Sequence, residues 1–85
     1  MSYFVYILQS EKDDSYYIGH TNDLKGRVER HNQGRSAYTR NRGPWKLICH
    51  ECFESRAEAM RRERELKAKK DRHYVDLLVR TATGQ

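Results

Sequence analysis

At 85 residues and 36% hydrophobic content, the chain has room for one domain with a thin core and for one site rather than two. A surplus of 17 Lys and Arg over 12 Asp and Glu gives a formal charge of +5, which favours polyanionic partners such as DNA, RNA or anionic lipid. No apolar run approaches the roughly 18 residues of a membrane span, and MSYFVYIL has neither a basic n-region nor a small-residue cleavage site, so a cytoplasmic protein is expected.

In chain order, YFVYILQ (residues 3–9) is apolar on both faces and rich in β-branched and aromatic residues, which suits a central strand. The polar cluster EKDDS turns the chain into a second short strand, SYYIG (15–19), making a hairpin with a loop of about five residues. Thr21 or Asn22 can cap the helix that follows, with Asp23 in its first turn and Gly34 closing it. GRSAYTRNRGP reads as loop, and a third strand covers about 45–53. Ser55, with Glu58 three residues on, forms a capping box for a second helix that runs to about Lys70. A last amphipathic piece, RHYVDLLVR, places Tyr74, Leu77 and Leu78 at helical spacing. The order β-β-α-β-α-α gives an α+β domain, a three-stranded antiparallel sheet flanked by helices. One domain over 1–85 is expected, with its core at about 3–80 and a short flexible tail.

Cys49 and Cys52 form a lone C-x-x-C in ICHECF. On a strand, positions i and i+3 point to opposite faces, and no second C-x-x-C completes a zinc site. Two reduced, half-buried thiols are expected.

The polar residues in apolar places are more informative. The first helix has two aliphatic anchors, Leu24 and Val28, and His31 falls within about 20° of Leu24 on a helical wheel. Arg27, one turn earlier, lies about 40° from His31 on the edge of the same stripe. In the second helix Ala59, Met60 and Leu66 define the apolar arc, and Glu63 falls inside it. A carboxylate there costs free energy unless it is paired or binds a metal; an i,i+4 pair with Lys67 is the simple structural alternative. Six residues are tyrosines, of which Tyr6 and Tyr17 sit on adjacent strands of the predicted hairpin, while Tyr3 and Tyr16 read as packing. Tyr6, Tyr17, Arg27, His31 and Glu63 together supply phenols, a fixed cation, a proton carrier and a metal-ready carboxylate, a set suited to attack on a phosphodiester. Arg35, Arg40, Arg42 and Lys46, with Lys67 on the basic face of the second helix, are the candidate phosphate contacts.

FVY at 4–6, ten intervening residues and YIG at 17–19, followed by LKGRVERH and AMRRERELK, resemble the GIY-YIG nuclease superfamily, closest to its small stand-alone members. The resemblance runs from Tyr3 to about Lys70. Phe4 stands where the first glycine of the signature would be, and no Asn follows Asn41, where many family nucleases carry one.

The resemblance implies hydrolysis of a nucleic-acid phosphodiester, DNA ahead of RNA, with one divalent metal held by Glu63 alone among protein groups. Mg²⁺, or Mn²⁺, suits such a site because it keeps several waters and takes phosphate oxygens. Tyr6 would act as general base or orient the attacking water, Tyr17 and His31 would help hold it, and Arg27 would neutralise charge on the phosphoryl oxygens. DNA repair or processing is the implied setting, with a protein partner for targeting. The alternative is a non-catalytic nucleic-acid-binding module that keeps the fold.

Overall fold

The computed structural model describes residues 2–36, 39–69, 75–78 and 80. Strands β1 (Tyr3–Ser10), β2 (Tyr16–Thr21) and β3 (Trp45–Phe53) form one antiparallel sheet in the order β2-β1-β3. Helices α1 (Leu24–Asn32) and α2 (Arg56–Lys69) complete the body, and residues 75–78 and 80 are again helical. The expected α+β order holds. The expected end of α2 at Lys70, the Tyr74 anchor and the tail after residue 80 lie outside the described residues.

The central place of β1 follows from its two apolar faces. Val5 and Ile7 pack with Cys49, Ala59 and Leu66 on the α2 side, while Tyr6 and Leu8 pack with Trp45, Leu24 and Val28 on the α1 side. Burying an aliphatic side chain of this size stabilises by about 1.5–3 kcal/mol, so β1 anchors both layers at once.

Several local expectations need correction. The second strand does not stop at Gly19 but runs on to Thr21, so His20 is a strand residue. The cap of α1 is Asp23, whose carboxylate accepts from the Gly26 N–H at 3.1 Å. Thr21 ends β2, two residues before the cap position, and accepts from the Asp23 N–H at 3.0 Å; Asn22 does not cap either. Gly34 closes α1 at φ 74°, and the Gly34 and Arg35 N–H groups bond the His31 and Arg30 carbonyls, a Schellman ending. Ser55 does cap α2, accepting from the Glu58 N–H at 3.2 Å.

The two thiols are not alike: Cys49 is buried in the α2-side core and Cys52 is exposed, because the sheet's alternation separates them. Met60 lies at the open margin of α2, 41% exposed, rather than in its apolar face. In the C-terminal helical stretch Val75 and Leu78, three residues apart, face the core and Leu77 is 52% exposed.

Candidate active site

The α1 face of the sheet holds the aromatic part of the site. Tyr6 on β1 and Tyr17 on β2 share that face with Leu8 and Trp45, their ring centroids 6.2 Å apart. Tyr6 pairs across the ladder with Gly19, and a Cβ at position 19 would lie 2.7 Å from the phenolic oxygen. The glycine is therefore required by the close approach of the phenol, not by backbone conformation.

Among the described residues of α1, His31 is the buried one, more so than either aliphatic anchor. Its place near Leu24 in the apolar stripe agrees with this; it is 2% exposed. Its Nε2 lies 3.0 Å from the Tyr6 oxygen and its Nδ1 2.7 Å from Thr39 Oγ1. The Tyr17 ring packs beside it at 4.7 Å between centroids. Burial, then the charges of Arg27 and Arg30, push the imidazole's pKa down, so the neutral form is favoured.

Thr39 reaches this position because the loop before β3 is tied down. Trp45 donates from its backbone N–H to Asn32 Oδ1 at 2.6 Å and from its indole N–H to the Thr39 carbonyl at 3.0 Å. Asn32 returns a bond to the Trp45 carbonyl at 3.0 Å. The end of α1, the loop and the start of β3 thus form one clasp around the imidazole.

Tyr6 is 0% exposed. Its burial, with Tyr17 nearby, raises the phenol's pKa well above the ordinary tyrosine range; Arg27 opposes this as a neighbouring cation and hydrogen-bond donor. Arg27 also lines a polar hollow of about 450 Å³ with Arg30 and Arg35.

Glu63 approaches from the other layer. Val5 pairs with His20, so His20 projects toward α2 from the edge strand, where its Nδ1 lies 2.5 Å from Glu63 Oε1. Lys67 Nζ donates to Glu63 Oε2 at 2.6 Å. The i,i+4 pair weighed from the sequence is thus present, and the carboxylate has a second partner. Burial alone would raise the carboxyl's pKa, but the hydrogen bonds and charges of Lys67 and His20 outweigh it and the net shift is downward. Glu63 is also close enough that its charge raises the Tyr6 pKa.

Arg35, Arg40, Arg42 and Lys46 are exposed, while Lys67 is drawn to Glu63. Sequence reasoning passed over His20 and Thr39. Continued alternation past Gly19 would have found His20; the loop position of Thr39 has no comparable signal.

Among the described residues, no three His, Cys, Asp or Glu side chains converge as a metal cluster. The donor set at Glu63, one carboxylate with free lone pairs at a partly open rim, fits a hard cation that keeps most of its waters. No helix among the described residues is long and apolar enough to cross a membrane.

A sequence model described as the GIY-YIG catalytic domain matches residues 2–75. The UPF0213 protein BH0048 of Halalkalibacterium halodurans is 47% identical over 79% of this chain and 71% of its own length. The UPF0213 protein CPE1444 of Clostridium perfringens is 51% identical over 75% of this chain and 69% of its own. A solution NMR structure of UPF0213 protein BH0048 from Bacillus halodurans superposes with a TM-score of 0.60 at 38% identity, covering 96% of this chain and 87% of that one.

Proposed function

Since the chain belongs to the GIY-YIG family, whose catalytic domain implies nuclease-type chemistry, we propose that it is a metal-dependent endonuclease acting on nucleic-acid phosphodiesters, DNA before RNA. The observation that carries this reading is the hydrogen-bonded line Tyr6–His31–Thr39, with the phenol packed directly on Gly19, where any side chain would collide with it.

In this reading Thr39 accepts the Nδ1–H of His31, which leaves Nε2 free to accept the Tyr6 proton. The neutral imidazole then serves as proton sink. Tyr6, too weak an acid to ionise alone, passes a proton from the attacking water to His31 as it receives one. Tyr6 is covered in the free protein, so Arg27 must move from the phenol onto the phosphoryl oxygens, where it neutralises developing charge. Tyr17, half-buried beside both rings, holds the water's side of the site. Glu63 would hold a Mg²⁺ or Mn²⁺ ion, which would supply stabilisation of the negative charge that builds on the phosphodiester oxygens. Arg35, Arg40, Arg42 and Lys46 hold flanking phosphates.

Incubation with Mg²⁺ or Mn²⁺ and branched, nicked, single-stranded and RNA substrates tests the proposal, and metal-dependent cutting of at least one is expected. One observation favours a second reading, a binding module without catalysis: both Glu63 oxygens already have cationic or N–H partners. Binding with no cleavage of any substrate under either metal would select it.

A further inference from the structure

The carboxylate that would hold the metal already carries a cation. Lys67 Nζ is 2.6 Å from Glu63 Oε2, and the Lys67 side chain is 53% exposed against 18% for Glu63. An ammonium at this distance opposes binding of a divalent ion to the same carboxylate, because the two like charges repel. The pair is an exposed i,i+4 contact, the weakest class of ion pair, and a lysine stem swings easily. Lys67 lines two hollows. One, of about 200 Å³, is shared with His20, Met60, Glu63 and Arg64. The other, of about 460 Å³, is shared with Tyr16, Tyr17 and Ile18. Lys67 therefore borders both the proposed metal position and the hollow beside Tyr17, against which a phosphodiester would lie. His20, on the opposite carboxylate oxygen, keeps Glu63 oriented when Lys67 leaves.

We propose that Lys67 is a resident counter-cation that a divalent ion displaces from Glu63, and that its freed ammonium transfers to a nucleic-acid phosphate lying against Tyr17. Metal and nucleic acid then bind cooperatively, because each favours the state in which Lys67 has left Glu63. This rests on the reading that Glu63 holds the metal.

The test is Mn²⁺ titration by calorimetry on the full chain, alone and with a phosphorothioate DNA oligonucleotide that resists cutting. Lys67→Met should bind Mn²⁺ roughly tenfold more tightly than wild type, a coupling in the usual range. Lys67→Arg, which keeps the charge but grips a carboxylate with a fork, should bind it more weakly. Arg64→Met, which removes a charge from the same hollow, should change affinity less than Lys67→Met. DNA should tighten Mn²⁺ binding to wild type by a larger factor than to Lys67→Met, in which only direct metal–phosphate contact remains. Unchanged Mn²⁺ affinity in Lys67→Met, or wild-type binding indifferent to DNA, overturns the exchange while Glu63→Gln still loses the metal. If Glu63→Gln binds Mn²⁺ as wild type does, the metal assignment itself falls, and the exchange with it.

Discussion

Gly19 and Tyr6 face each other across the β1–β2 pair, with the phenolic oxygen where a side chain at 19 would begin. The glycine of the YIG triplet thereby lets the phenol pack against the edge strand within bonding reach of His31. Gly19→Ala should cost about 1–3 kcal/mol of stability through overpacking and should displace the Tyr6 ring. Thermal melts with a cleavage assay check this. A variant that melts and cuts like wild type would show that the close approach is not needed.

His31 gives stability a definite pH dependence. Its folded pKa lies below the ordinary value, because burial and the charges of Arg27 and Arg30 disfavour the imidazolium. The unfolded chain therefore binds a proton first as pH falls through about 6.5, and stability declines below that point by up to about 1.4 kcal/mol per pH unit. Above it the contribution is intact. Urea melts of wild type and His31→Asn from neutral to mildly acid pH should show a steeper acid loss in wild type. Parallel slopes would contradict the buried, neutral histidine.

Glu63→Gln keeps the shape of the side chain and removes its charge. Cleavage should be lost and nucleic-acid binding retained, as compared by cutting assays and gel-shift titrations at saturating Mg²⁺. The ion pair with Lys67 is worth only a few tenths of a kcal/mol, but the His20 contact is weakened with it, so melts accompany the assays to show that the variant is folded. Undiminished cutting would reduce Glu63 to a surface pair.

Phosphate contacts should make binding fall steeply with salt, because each neutralised phosphate releases counterions. Arg40→Ala should lower affinity on all sequences alike and reduce the slope of log K against log salt by about 1. Titrations at several salt concentrations measure it, and a flat wild-type response would remove the electrostatic reading.

Much of this architecture is legible in the chain. The two apolar faces of YFVYILQ place β1 in the middle of the sheet, and His31 in an apolar stripe marks the face on which it is buried. What escaped depends on where β2 ends or on closure in space. Asp23 caps α1 because β2 runs on to Thr21, which puts the helix start at Leu24 and Asp23 at the cap position. His20 was hidden by ending the strand at a glycine, although Gly19 here is an edge-strand residue facing a phenol. Thr39 meets His31 only because Asn32 and Trp45 clasp the loop, a pairing with no periodicity to read.

The most direct measurement is single-turnover cleavage by wild type, Tyr6→Phe and Tyr3→Phe across pH, with melts to confirm folding. Tyr6→Phe deletes the oxygen bonded to His31 and leaves the ring in the core, whereas Tyr3 lies on the opposite sheet face. The account predicts a fall of roughly 10² to 10⁴ for Tyr6→Phe, the usual range for a lost proton-transfer group, and a near-wild-type rate for Tyr3→Phe. Wild type should show no tyrosine limb at mildly alkaline pH, since the phenol's pKa is raised beyond it. A folded Tyr6→Phe protein cutting at the wild-type rate would contradict the role given to the Tyr6–His31 pair.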